Sequence, residues 1–416
     1  MEPKLFIQKN IYNFIPILEG KQDTMNNIIL SYSKSKNIFF IIINGILLNI
    51  GEFDHNKKDF ILKKIKINQI DYNTRIKRLC LTKNHIYILN KEKLIFYSNY
   101  NNFIFSQMKG PIQKKKIMSL VCSDNDILLL TYAGLVYHIN EQNKENQKLL
   151  NELLDYNISS ISVGSNHFLA LGSIRNNDYN KDENLSLQDK DCMLFSWGDN
   201  TYFQCGVNNK KYINYPTLIS NSIGIRQISS GNNHNIILLN NENIIFFGDN
   251  KYNQCFYDNK NIVQLPRKED IAKFSLCNEF LKLKDEYIQK IKAKENSSLL
   301  ISDKGTLIFN GKIFNNKQKI FILENNINFR PWSCFSDDFF LVLKNGINNN
   351  IFKEIKYDKN SFITKKKIIV HYSHNNLNNY NNNEEYYFQK KISHKIPTKK
   401  NSFTLSFECL KNEKKK

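Results

Sequence analysis

A chain of 416 residues with 41% hydrophobic residues, 29 Phe and 21 Tyr can build a sizeable core and leans towards strands. Its 59 Lys and Arg against 39 Asp and Glu leave a formal charge of +20, which points to an acidic protein surface, nucleic acid or an anionic membrane as partner. Eight cysteines without a CxxC pair, and without a Cys/His cluster at metal spacing, exclude the common zinc modules.

No basic region, apolar core and small-residue cleavage site opens residues 1–20, so a secretory signal is not expected. The longest apolar run, residues 38–50, is broken by Asn44-Gly45 and is shorter than the ~20 residues a membrane helix needs. The expectation is a soluble, intracellular protein with reduced thiols and no membrane association. The first predicted element is a strand at residues 14–18, carrying Pro16.

From residue 28 onward the chain repeats itself. Two segments, ISSISVGSNHFLAL from Ile158 and IRQISSGNNHNIIL from Ile225, share Gly, a spacer, Asn and His. Each is followed by an aromatic residue, Gly, Asp and Asn, at Trp197 to Asn200 and at Phe247 to Asn250. With His167 and His234 as register marks, the frame extends to Asn37, His85, Asp126, Ser297 and Asp338, and three of the six intervals are 41 residues. Nine residues before the mark stand Ile28, Ile76, Ile117, Ile158, Ile225, Ile288 and Phe329. Two after it come Phe39, Tyr87, Leu128, Leu169, Ile236, Leu299 and Phe340; four after it, Ile41, Leu89, Leu130, Leu171, Leu238, Ile301 and Val342. Apolar residues at +2 and +4 have the period of a strand with one buried face. A turn glycine follows at +8 in Gly45, Gly134, Gly305 and Gly346. At +14 a second glycine recurs in Gly51, Gly248 and Gly311, and in Gly198 once a 17-residue insertion is removed.

Each unit therefore reads as strand, link, strand, hairpin, strand. A lone sheet of this size buries too little to stand by itself, so neighbouring units must cover one another. Radial packing of such sheets is a propeller, and the expectation is an all-β, seven-bladed β-propeller. GSNH, GNNH, SWGDNTYFQCG and FFGDNKYNQC resemble the repeat of the regulator-of-chromosome-condensation family. That resemblance implies a seven-bladed ring with a Pro-led outer strand before each unit, as at residues 215–219 and 265–266. Residues 14–18 look like the same element and would close the ring through the last blade. The expected organisation is a propeller over residues 1–355, with an insertion at 173–191, followed by a basic, partly disordered extension over 356–416.

Three segments lie outside the register. Residues 173–191 carry Asp178, Asp182, Glu183 and Asp189, candidate contacts for a partner at a hairpin tip. Residues 267–287 have the spacing of a short helix packed beside the ring. The tail mixes a strand-like IIVHY with lysine runs suited to nucleic acid or a nuclear address.

No P-loop, GxGxxG, HExxH, GxSxG or nucleophile–base pairing occurs, so no catalytic residue, metal site or cofactor is expected. Gly164, His167, Trp197, Gly198, Asn200, Gly231, His234, Gly248 and Asn250 are read as structural repeat positions. The histidines are expected to bond backbone within their own blade, and Trp197 and Phe247 to pack. The expected function is a non-enzymatic, monomeric interaction propeller presenting loops to a protein partner. The family resemblance implies an alternative: guanine-nucleotide exchange on a Ran-type small GTPase, with chromatin association and a nuclear rather than cytoplasmic location. A propeller enzyme with a central-channel site is a further, weaker alternative.

Overall fold

In the computed structural model, side chains are described for Phe40 and for most of residues 76–312, excluding 102–103, 176–191, 209, 221–223, 258–259, 267–285, 305 and 307. Elsewhere the backbone of the strands named below is described.

Every regular unit is a sequential antiparallel sheet. The second unit runs Ile76–Leu81, His85–Asn90, Ile95–Asn99 and Ser106–Gln107, with each strand bonded to the next. The third runs Ile117–Cys122, Asp126–Thr131, Val136–Asn140 and Asn143–Leu149. The fourth is Tyr156–Val163, His167–Ile174, Met193–Asp199 and Tyr212–Ser220; the fifth is Ile225–Ser230, His234–Leu239, Ile244–Asp249 and Ile262–Val263. The first has the same order over Ile28–Ser33, Ile38–Ile43, Ile46–Asp54 and Asp59–Lys66.

The chain is an all-β propeller, but it shows five blades of this four-stranded form rather than the seven expected. The other two units are built into larger sheets. In the sixth, Ile288–Lys294, Ser297–Ser302, Leu307–Gly311 and Lys319–Leu323 are extended by Phe352–Lys356 and Ile369–Tyr372. In the last, Cys334–Phe335 and Phe339–Asn345 continue through Phe403–Cys409 to Lys4–Asn10, in parallel, and then Asn13–Glu19. An outer blade edge offers unpaired N–H and C=O groups, so strands from beyond the repeat can add to it. Those strands follow the last register mark or precede the first, where the repeat gives no signal.

The +2 and +4 columns are buried as expected, from Tyr87 and Leu89 through Leu299 and Ile301. The one-faced strand is a correction, because residues at +1 and +3 are buried too: Ile86, Ile88, Ile127, Leu129, Phe168, Ala170, Ile237 and Leu300. Each second strand is sandwiched between two neighbours, so it is apolar on both faces. The +2 and +4 side chains of one unit meet the +1 and +3 side chains of the next. Tyr87 and Leu89 pack with Ile127 and Leu129; Leu128 and Leu130 with Phe168 and Ala170; Leu169 and Leu171 with Ile237. In the first unit Phe40, three after the mark, packs on Ile86 and Ile88, so the buried face there is one residue out of phase with the column.

The +14 glycines explain themselves. Gly198, Gly248 and Gly311 have φ of +101°, +112° and +125° and pair opposite the marks His167, His234 and Ser297. A Cβ at Gly198 would run into the Asn166 carbonyl oxygen and His167 Cα; at Gly248, into the Asn233 carbonyl and His234 Cα. In units two, three and five the +8 position is also left-handed, including at residues other than glycine: Lys93 (φ 70°), Gly134 (φ 72°) and Glu242 (φ 68°). The turn geometry thus outlasts its glycine.

Candidate functional site: seams between sheets and an exposed aromatic face

The signature residues assemble at the seams. His167 and His234 are fully buried, and each ring reaches the next unit rather than its own backbone, which corrects the expected bond. His167 Nε2 lies 2.9 Å from Asn235 Oδ1, and Asn235 Nδ2 donates back to the Gln204 carbonyl at 2.7 Å. One seam later His234 Nε2 meets Ser298 Oγ at 2.9 Å, and that hydroxyl donates to the Gln254 carbonyl at 2.7 Å. Asn235 and Ser298 both stand one after the mark, so the latch repeats as a motif across two units. It was invisible in a single-unit reading, although Asn235 stands beside a marked histidine. The space for each ring comes from the glycine three residues earlier: a Cβ at Gly164 would strike the His167 ring, and one at Gly231 the His234 ring. Burial pushes the His167 imidazole down to about 4, and burial, then the charge of His167, pushes His234 down to about 3.

Asn200 and Asn250 close the loop that supplies those carbonyls. Asn200 Oδ1 accepts from Cys205 N at 2.9 Å, and its Nδ2 donates to the Val207 and Lys210 carbonyls at 2.6 Å each. Asn250 repeats this with Cys255 N at 2.7 Å and the Tyr257 and Lys260 carbonyls at 2.6 Å. Gln204 and Gln254 tie the turn to Asp199 and Asp249. Cys205 and Cys255 are fully buried beneath it, and burial raises both thiols, Cys205 to about 12. Trp197 stacks on Phe168 at 5.3 Å in the cluster that joins units three and four, and Phe247 fills the one between four and five.

The second-to-third seam uses other chemistry. Buried Glu141 accepts from Thr82 Oγ1 and Asn84 Nδ2 at 3.0 Å each, and faces His85 Nδ1 at 2.5 Å. Lys144 Nζ lies 2.7 Å from the other nitrogen of His85, and desolvation lowers that ammonium. Within the third unit, the mark Asp126 bonds His138 Nε2 at 2.8 Å, and the His138 ring packs on Phe168 of the fourth.

Among the described residues no group of three or more His, Cys, Asp or Glu is placed to hold a metal, and no helix is long and apolar enough to cross a membrane. What the described surface offers is an aromatic face on the outer strand of unit four. Tyr212 is 59% exposed and Tyr215 57%, with Leu218 and Leu154 also exposed. Lys148, on the outer strand of unit three, places its ammonium 5.7 Å from the Tyr215 ring. The acidic candidates Asp178, Asp182, Glu183 and Asp189, and the expected helix at 267–287 up to residue 285, lie outside the described residues.

The regulator of chromosome condensation (RCC1) repeat matches residues 193–238. An RCC1 repeat-containing protein of Schizosaccharomyces pombe is 35% identical over 78 residues, 19% of this chain and 22% of that protein, so the match spans about a fifth of the relative. Yeast RCC1 (Prp20), solved bound to Kap60, is similar with a TM-score of 0.53 and 15% identity, covering 80% of each chain. Prp20p from Saccharomyces cerevisiae, described with its binding properties to Gsp1p and histones, gives 0.51 and 16% over 74% of this chain and 77% of that one. Human WBSCR16 gives 0.52 and 14%, over 74% and 83%. At such identities the structures speak for the fold alone. Residues 193–238 are thus a regulator of chromosome condensation repeat, set in a propeller that continues on both sides of it and resembles yeast RCC1 in fold.

Proposed function

We propose that this chain is a non-enzymatic interaction propeller, and that a protein partner docks on the outer face of units three and four. The observation that carries the proposal is that Tyr212, Tyr215 and Leu218 are all exposed on one outer strand, with Lys148 of the neighbouring unit over the Tyr215 ring. Tyrosine gives a large contact area with few rotamers to freeze, and aromatic residues are enriched at interfaces. The insertion at 173–191, with Asp178, Asp182, Glu183 and Asp189, is a second contact in this reading. Quantitative affinity capture with the wild type, Tyr212→Ala/Tyr215→Ala and a deletion of residues 176–191 tests it. The reading requires a partner lost from at least one variant whose melting curve matches the wild type. An unchanged partner set from both would refute it.

The same proposal takes the propeller as residues 1–355, with the strands at 369–372 and 403–409 of the following segment added to its last two sheets. In this reading the N-terminal strands close the propeller through the last sheet. Residues 356–416 form a basic extension that contacts nucleic acid, and the protein works as a nuclear monomer. Deleting residues 1–20 should lower the melting temperature of the whole domain as one transition.

A second reading is exchange of guanine nucleotide on a Ran-type small GTPase, supported by the likeness to Prp20p, which is described with Gsp1p and histones. An exchange factor binds the nucleotide-free GTPase better than the loaded one and needs no covalent chemistry. Catalytic amounts should accelerate release of labelled nucleotide; no acceleration leaves the scaffold reading.

A further inference from the structure

The innermost strands meet at a repeated contact. The residue five before the mark in one unit faces the residue four before the mark in the next. Ser162 Oγ accepts from Ser230 N at 2.8 Å, and Ser229 Oγ accepts from Ala293 N at 2.8 Å. In the seam between units two and three these positions are Cys80 and Cys122. Cys80 Sγ reaches across it to the Leu120 carbonyl at 3.3 Å, two residues from Cys122 on the same strand. Both are free and partly exposed, whereas Cys205 and Cys255 are buried.

We propose that Cys80 and Cys122 are a redox-active thiol pair that hydrogen peroxide converts to a disulfide bridging the second and third units. The surroundings divide the roles. The hydrogen bond from the Cys122 thiol, with the charges of Arg78 and Lys294, holds Cys80 below the usual thiol value against the effect of burial. Burial, then the Cys80 hydrogen bond, pushes Cys122 well up. Cys80 is therefore the attacking thiolate and Cys122 the resolving thiol. Cys80 sulfur attacks one peroxide oxygen, the O–O bond breaks, and the released hydroxide takes up the proton that Cys80 gave up, leaving sulfenic acid and water. Cys122 sulfur then attacks the Cys80 sulfur, the S–O bond breaks, and hydroxide leaves with the Cys122 proton as a second water. Two thiols lose two electrons and two protons, and the peroxide is reduced to two waters.

The test uses the full chain with stoichiometric hydrogen peroxide, followed by non-reducing peptide mapping. The expected result is a peptide pair cross-linked between Cys80 and Cys122. Cys122→Ser should trap a sulfenic acid on Cys80 that dimedone labels, and Cys80→Ser should give neither product. Both variants should fold, because serine occupies the same two positions in the Ser162–Ser230 contact. In the reduced wild type, limiting iodoacetamide should label Cys80 at least roughly tenfold faster than Cys205 or Cys255. Absence of the cross-link, or dimedone labelling at Cys122 in place of Cys80, would overturn the proposal.

Discussion

The seam between units four and five and the seam between units two and three share one scaffold and differ in what fills it. Both bury +2 and +4 residues of one sheet against the next: Tyr87 and Leu89 against Ile127 and Leu129, and Leu169 and Leu171 against Ile237. At the top of the first, a neutral, fully buried histidine bonds a neutral amide, His167 to Asn235. At the top of the second, His85 faces a buried carboxylate and a lysine, and threonine stands where Gly164 makes room for the ring. Apolar packing and backbone register specify the propeller. The polar closures are local solutions that can change from seam to seam, which is how a chain with eroded signature residues keeps the fold.

Substitutions can break this comparison at either seam. The largest effect belongs to the shared backbone: Gly198→Ala forces a Cβ against the Asn166 carbonyl at a φ reserved for glycine. It should cost roughly 3 kcal/mol in urea titration, with Gly248→Ala similar. At the histidine seam, His167→Ala leaves Asn235 Oδ1 unpaired and opens a cavity, for a loss of about 2–3 kcal/mol. The histidines also set a pH dependence. Their folded values, about 4 and about 3, lie below the unfolded 6.5, so between these limits the unfolded chain binds more protons. Their contribution is complete above pH 6.5 and is lost as pH falls, at roughly 1.4 kcal/mol per pH unit for each histidine. Replacing both with glutamine should flatten that slope, and an unchanged slope would mean the rings are not held neutral. At the carboxylate seam, Glu141→Gln keeps the shape and removes the charge facing His85 and Lys144; about 1–2 kcal/mol should go. The smallest change sharpens the turn argument: Glu242→Gly relieves a left-handed residue and should stabilise by no more than about 1 kcal/mol in thermal melts.

Much of this was legible in the sequence because it repeats. The Ile76, Ile117, Ile158, Ile225 and Ile288 column is buried throughout, and the +14 glycines stand where a Cβ cannot. Residues that act between units were not legible. The partner of His167 is 68 positions away in Asn235, and Glu141 answers His85 from 56 positions away, so neither pairing has a local signal. The one-faced strand failed because period-2 alternation marks a sheet with one wet face, whereas these strands are covered on both. The strands at 352–356, 369–372 and 403–409 belong to no repeat column and join sheet edges by backbone bonding, which any sequence can supply. Tyr212 and Tyr215 carried no signal as a surface, since exposure depends on where the fourth sheet ends.

The claim at the centre is that a repeating buried latch couples neighbouring sheets of the propeller into one cooperative unit. A double-mutant cycle on His167→Ala and Asn235→Ala, measured by urea unfolding, addresses it directly. The latch predicts a coupling energy of about 1–2 kcal/mol between the two sites. Effects that add to within about 0.3 kcal/mol would contradict it.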